Sequence, residues 1–182
     1  PKINLALTFD AGNAADGAAR AGTQSLMMGL LEEGTETRSA EQIAIEQERL
    51  GASISAGAST DSSSVSMSAL TANLRPSLAL MADIVRNPAF VEELEAALEQ
   101  FAAIAQEQAD PSSLAYRALG PLIYGNGHPY GSVGGTGEPA VIEALTPEAL
   151  AGEHAKWVRP DLARLTVVGD VTMAELLPAL EG

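Results

Sequence analysis

The sequence contains no cysteine, which excludes disulfide bonds, thiolate nucleophiles and cysteine-ligated metal sites. Histidine is almost as scarce, since His128 and His154 are the only imidazoles. No apolar run approaches the roughly 20 residues that a membrane-spanning helix needs, so no membrane insertion is predicted. A cysteine-free composition is compatible with both the bacterial periplasm and the cytoplasm, so the compartment stays open.

Basic residues are also few, with ten Lys and Arg against 24 Asp and Glu, a net charge of −14. This balance opposes electrostatic attraction to nucleic acid or to an anionic membrane, and neither is predicted as a partner. Between residues 87 and 116 there is no Lys or Arg, while several acidic residues fall there. A solvated helix face is the favoured interpretation of this stretch over a binding site for a cation or a basic peptide.

With 182 residues and 46% hydrophobic content, the chain is long enough for one sizeable core. We therefore predict a single domain over residues 1–182. Because the chain begins with Pro1 rather than Met, we expect it to be a fragment of a longer protein.

The spacing of apolar residues predicts alternating strands and helices. Period-two alternation and a short apolar run predict strands, at 3–9, 51–58, 63–70 and 164–168. Helical spacing, caps and flanking prolines predict helices, at 18–33, 39–50, 72–86, 91–108, 112–124 and 146–157, with a last one after Thr172. The Gly- and Pro-rich segment 125–137 is predicted as a loop. Hairpins without regular βαβ alternation indicate an α+β fold, with an antiparallel sheet covered on one face by several helices.

The segment 22–35, GTQSLMMGLLEEGT, resembles the zinc-binding helix of the pitrilysin/insulinase-type (M16) metallopeptidases, the inverzincins. That helix carries H-x-x-E-H between an early Gly and a closing Gly-Thr. The side chains of its two His project from one face of the helix and bind one metal ion, and its Glu activates the water bound to that ion. The corresponding positions here are Ser25, Met28 and Gly29. These residues supply neither two imidazole ligands nor a general base, so no catalytic, metal-binding or cofactor-binding residue is predicted.

Further segments carry the same resemblance in the order expected along the whole chain. HPYG at 128–131 and GTGE at 135–138 are similar to a loop of the bacterial pitrilysin-type proteins. LTPEAL at 145–150 and WVRPD at 157–161, leading to VVGDV at 167–171, resemble the closing helix and final strand of the family domain.

Active members of the family take a third zinc ligand, a Glu, from a helix downstream of the motif. Aligning residues 99–107 with the family pattern E-R-x-V-x-x-x-E places Gln106 at that ligand, and a shift of one residue places Glu107 there. A neutral amide is a poor zinc ligand compared with a carboxylate. Even Glu107 would lack the two His partners that a zinc site of this type requires.

Other candidate sites are weaker. A structural role is favoured for His128, which lies among Pro and Gly. The Gly-rich segment 131–137 lacks the lysine of a phosphate-binding loop, and the Ser-rich hairpin has no G-x-S-x-G motif. Met27 and Met28 are interpreted as core residues rather than cofactor contacts.

The resemblance implies a role for a chain without zinc ligands. Pitrilysin-type peptidases build a chamber from two halves, each of two related α+β domains, and only one half carries zinc. This chain resembles the first domain of a non-catalytic half, which completes the chamber and the surface that binds the peptide substrate. Zinc is then expected in the catalytic partner, and the supporting Arg and Tyr in the next domain. The resemblance favours the periplasm slightly.

Two alternatives belong to other classes. The chain could be a structural or assembly subunit, similar to the core subunits of the cytochrome bc1 complex, with no part in proteolysis. It could also be an enzyme with an unrelated active site, but no motif supports that hypothesis.

Overall fold

The computed structural model describes residues 1–90, 94–131 and 136–181, with the backbone alone for Ala18 and residues 94–100. Within these described residues, one antiparallel sheet is formed by four strands, β1 (Lys2–Phe9), β2 (Ser53–Ala58), β3 (Ser63–Leu70) and β4 (Ala163–Gly169). Their order in the sheet is β2-β3-β1-β4. The central strand β1 pairs through Leu5 with Met67 on one side and with Val167 on the other. The strand predictions are confirmed to within one or two residues.

Helices follow the first strand, the hairpin and the last strand. They are α1 (Thr23–Gly29), α2 (Ala40–Leu50), α3 (Leu74–Arg86), α4 (Leu94–Ala109), α5 (Pro111–Tyr124), α6 (Pro139–Glu143), α7 (Pro147–Trp157) and α8 (Met173–Leu180). The α+β prediction is confirmed. Helix α2 begins at the predicted capping box of Ser39 and Gln42, and Gly51 ends it in the left-handed region. Among the described helices, none is long and apolar enough to cross a membrane.

The two faces of the sheet differ in polarity because side chains alternate along each strand. One face is buried and apolar, and it carries Ile3, Leu5, Ile54, Val65 and Met67. Helices α1 and α2 contact β2 on this side, and α3 contacts β3. The opposite face carries exposed polar side chains, such as Asn4, Ser53, Ser55, Ser66 and Thr166. The hydrophobic core therefore lies between the apolar face of the sheet and the helices. Fully burying one large apolar side chain there contributes about 1.5–3 kcal/mol to stability.

The prediction of one continuous helix over 18–33 is wrong. A 3₁₀ turn at Ala18–Arg20 comes first, α1 follows after a break, and a second 3₁₀ turn spans Leu30–Glu32. The break lies at Gly22, whose φ of 97° is in the left-handed region that glycine adopts without steric cost. Helix α1 is therefore short and depends on its surroundings for its position.

Smaller differences concern element ends. Helix α3 begins at Leu74, because a 3₁₀ turn at Thr71–Asn73 takes the place of its predicted first residues. Helix α6 lies between the predicted loop 125–137 and the predicted helix 146–157, in a stretch for which no element is predicted. Of the predicted loop 125–137, residues 132–135 lie outside the described residues, as do 91–93 of the predicted fourth helix.

Candidate functional site

The N-terminus of α1 is held by a buried carboxylate from the preceding loop. Asp16 is only 5% exposed, and its carboxylate accepts hydrogen bonds from the backbone N–H of Gly22 at 3.2 Å and of Gln24 at 3.1 Å. These bonds satisfy N–H groups that have no partner within the helix. Burial raises the pKa of Asp16 to about 6, although both backbone hydrogen bonds act in the opposite direction.

The three motif-aligned positions on α1 lie in three different environments. Ser25 is half-buried, and its hydroxyl donates to Oδ1 of Asn13 at 2.9 Å. Met28 has no exposed surface and belongs to the hydrophobic core, as does Met27, which confirms their interpretation as core residues. Gly29 is exposed, and a Cβ atom placed there would meet no atom within 4 Å. The helix thus uses these positions for a hydrogen bond, for packing and for solvent exposure.

Asn13, the partner of Ser25, joins α1 to the tip of the β2–β3 hairpin. Its backbone N–H donates to the carbonyl of Ser59 at 2.9 Å, and the N–H of Ala14 donates to the carbonyl of Thr60 at 2.9 Å. The backbones approach so closely that a Cβ on Gly12 would lie 2.4 Å from the Ser59 carbonyl oxygen. The loop before α1 and the hairpin tip therefore form one packed unit.

A buried polar residue that sequence reasoning missed lies beside the motif positions. Gln24 is completely buried, and its amide nitrogen donates to the hydroxyl of Ser63 at 3.1 Å and to the carbonyl of Ala11 at 3.4 Å. In the described part of the chain, its Oε1 has no hydrogen-bond partner. Nothing in the sequence distinguishes this Gln from a surface residue of a helix, because its partners come from β3 and a distant loop.

The two candidates for the third ligand position also differ from each other. Gln106 is exposed on α4. Glu107 is half-buried and accepts hydrogen bonds from the hydroxyl of Thr136 at 2.7 Å and from Arg117 at 3.1 Å. The same guanidinium donates to the carbonyl of Gly137 at 2.6 Å. Glu107 is therefore part of a network that joins α4 and α5 to the segment before α6.

Both histidines make contacts within the fold. Nε2 of His154 lies 2.8 Å from the carbonyl oxygen of Val85, and burial lowers the pKa of this imidazole. Nδ1 of His128 accepts a hydrogen bond from the N–H of Tyr130 at 3.1 Å, while its ring stacks on Tyr124. Within residues 1–90, 94–131 and 136–181, no three His, Cys, Asp or Glu side chains lie close enough together to bind a metal ion.

The residues on α1 do not fit the zinc site of the motif that they resemble. The hydroxyl of Ser25 is already hydrogen-bonded to Asn13, Met28 is enclosed by apolar side chains, and Gly29 has no side chain. None of these groups presents an imidazole or a carboxylate to a common point.

The fold and the sequence together define a family. Residues 1–119 match the family model described as insulinase, peptidase family M16. The chain therefore belongs to the M16 peptidase family, and the resemblance drawn from its motifs is confirmed.

Solved structures show the same fold. The inactive domain of an M16 peptidase from Pseudomonas fluorescens is 29% identical, with a TM-score of 0.92 over 98% of this chain and 44% of that one. A protease from Helicobacter pylori is 20% identical, with a TM-score of 0.87 over 99% of this chain and 44% of that one. The periplasmic protease PqqL from Escherichia coli is 20% identical, with a TM-score of 0.82 over 99% of this chain and 21% of that one.

This chain thus spans less than half the length of each of these proteins. No match was found among the curated proteins.

Proposed function

We propose that this chain is the first domain of a non-catalytic half of an M16 zinc peptidase. In this role it completes the chamber and the peptide-binding surface for a second half that carries H-x-x-E-H and zinc. That second half is either part of the same polypeptide or a separate subunit. The observation that carries the proposal is the complete burial of Met28, the residue aligned with the catalytic Glu of the motif. A side chain enclosed in the core cannot reach a metal-bound water or a substrate.

The neighbouring positions support the same proposal. Zinc sites of this type require two imidazoles on one helix face, and Ser25 and Gly29 offer a hydrogen-bonded hydroxyl and no side chain. At the third position, Gln106 is an exposed amide and Glu107 is bound to Arg117. A chain with these residues neither holds zinc nor hydrolyses a peptide by itself.

The comparison structures give further support. The Pseudomonas fluorescens protein, which is described as an inactive domain, covers 98% of this chain at 29% identity. The chain covers 44% of that protein, and 40% of the protein described as the first half of PqqL. These proportions are those expected if one domain of a two-domain half has been compared with the whole half.

The first test is metal content and peptide cleavage by the chain alone. After dialysis, elemental analysis is expected to find no stoichiometric zinc, and a mixed peptide library is expected to remain intact. One tightly bound zinc per chain, lost together with peptidase activity when Gln106 or Glu107 is substituted, would overturn the proposal.

The second test is dependence of a catalytic partner on this half. Peptide turnover by the zinc-bearing protein encoded with it is measured alone, with this chain, and with the complete non-catalytic half. We expect weak association of the single domain and full turnover only with the complete half. If the zinc-bearing protein works at full rate alone and never associates with the complete half, the assembly-subunit hypothesis becomes the better one.

A further inference from the structure

Strand β2 forms one edge of the sheet, and such an edge is normally open to another strand. In an antiparallel pair, alternate residues direct their N–H and C=O groups toward the neighbouring strand, and the residues between them direct these groups outward. An edge with unpaired outward groups is a template on which an extended peptide or a second copy can add.

The outward N–H groups of β2 are already bonded within the chain. The N–H of Ala56 donates to the carboxylate of Glu32 at 2.7 Å, and the N–H of Ile54 donates to the side-chain carbonyl of Gln47 at 2.6 Å. Just before the strand, the N–H of Ala52 donates to the backbone carbonyl of Gln47 at 2.9 Å. Three successive donors on the free edge therefore have acceptors in the helical layer.

The strand itself has none of the usual protection against strand addition. Its sequence, SISAGA, contains no charged residue and no proline, and the polar face of the sheet beside it is rich in serine. Edge strands commonly depend on Lys, Pro or a bulge to prevent pairing. Here the acceptors come from outside the strand, Glu32 from the 3₁₀ turn after α1 and Gln47 from α2.

We propose that Glu32 and Gln47 close the β2 edge against strand addition, and that removing both side chains turns this edge into a binding site for an extended peptide. A peptide strand needs the N–H groups of Ile54 and Ala56 as donors, and both are occupied. It must also pass through the space that the two half-buried side chains fill. The inference does not depend on the function proposed above, since it concerns the sheet edge of this chain alone.

The first measurement is amide hydrogen exchange at single residues. In the double variant Glu32→Ala/Gln47→Ala, the amides of Ile54 and Ala56 are expected to exchange about tenfold faster or more, because each loses its acceptor. The amides of Ser55 and Gly57 face β3 and act as internal controls, since only a general loss of stability would accelerate them as well. If the double variant does not fold, the single variants carry this measurement. Unchanged exchange at Ile54 and Ala56 in the variants would overturn the inference.

The second measurement is binding of a fluorescent peptide that copies residues 63–70, the strand that already pairs with β2. Fluorescence anisotropy is expected to show binding to the double alanine variant at least tenfold tighter than to the unmodified chain. The variant Glu32→Gln/Gln47→Glu keeps both acceptors and is the matched control, which should behave like the unmodified chain. Equal binding by the unmodified chain and the alanine variant, or binding by neither, contradicts the proposal.

Discussion

Asp16 shows how one buried side chain governs the position of α1. Its carboxylate is almost fully enclosed and accepts hydrogen bonds from backbone N–H groups at the N-terminus of the helix, those of Gly22 and Gln24. Removing the carboxylate from water favours its protonated form more than the hydrogen bonds favour its charged form. Helix position and protonation are therefore linked at this residue.

The protonation of Asp16 predicts a pH dependence of stability. Burial raises its pKa from the ordinary 3.8 to about 6, so between these pH values the folded chain holds a proton that the unfolded chain has lost. Unfolding then releases a proton, and the free energy of unfolding falls as the pH rises from about 4 to about 6. The fall amounts to roughly 3 kcal/mol, because one pKa unit corresponds to about 1.4 kcal/mol.

Denaturant melts of the unmodified chain and of Asp16→Asn, from pH 4 to pH 7.5, measure this contribution as a difference. The difference is needed because the lowered pKa of His154 has the opposite effect, raising stability as the pH rises toward 6.5. Asp10→Asn, at an exposed position, controls for the loss of one negative charge. Parallel curves for the unmodified chain and Asp16→Asn would show that Asp16 does not titrate in this range.

At the scale of elements, neighbouring positions of α1 are expected to differ widely in how much a substitution changes the stability of the chain. Met28→Glu is expected to lower the free energy of unfolding by about 3–5 kcal/mol, because it buries a carboxylate without a partner in the core. Gly29→Ala is expected to raise it by roughly 0.5–1 kcal/mol, because the backbone at Gly29 is helical and the site is open.

Thermal and chemical melts of the α1 variants provide the measurement. Met28→Leu conserves volume and polarity and should cost less than about 1.5 kcal/mol. Gly137→Ala is the contrast for Gly29→Ala, because its φ is 81° and a Cβ there would lie 2.4 Å from the carbonyl oxygen of Ala21. A Met28→Glu chain as stable as Met28→Leu would mean that α1 can present position 28 to solvent.

The network around Arg117 joins α4, α5 and the segment before α6. The Arg117 side chain is 11% exposed, and its guanidinium contacts the carboxylates of Glu107 and Glu138 as well as the carbonyl of Gly137. Arg117→Ala is expected to cost about 3 kcal/mol in unfolding free energy, because it leaves the two carboxylates without their cation. Arg117→Lys is expected to cost less, because the ammonium keeps the positive charge, although it cannot reproduce the planar fork. Arg75→Ala, at an exposed position on α3, should change stability by no more than about 0.5 kcal/mol. Identical melting of the Arg117→Ala and Arg75→Ala chains would refute a stabilising role for the network.

At the scale of the whole molecule, features encoded by neighbouring residues could be predicted from the sequence. The strands follow from period-two alternation, and α2 follows from its capping box and terminal glycine. The family resemblance rested on short motifs in a fixed order, and it is confirmed. The interpretation of Ser25, Met28, Gly29 and Gln106 as replaced ligand positions stays a prediction.

Features that join distant parts of the chain could not be predicted. At the break before α1, the carboxylate of Asp16 accepts a hydrogen bond from the N–H of Gly22. The spacing of apolar residues along the helix carries no information about this contact. The contact of Glu32 with Ala56 crosses 24 residues, and that of Arg117 with Gly137 crosses 20. Helix α6 is different, because Pro139 at its first turn is a local signal for a helix start in the sequence itself.

The backbone contact between the loop before α1 and the hairpin tip limits how the length of the protein can change. Asn13 binds Ser59 through its backbone and Ser25 through its side chain, so the turn at 59–62 and helix α1 share one anchor. One residue inserted in that turn would shift the Ser59 carbonyl away from Asn13 and displace the helix with it. Members of this lineage should therefore tolerate insertions and deletions at places remote from this anchor, while the hairpin tip keeps a constant length.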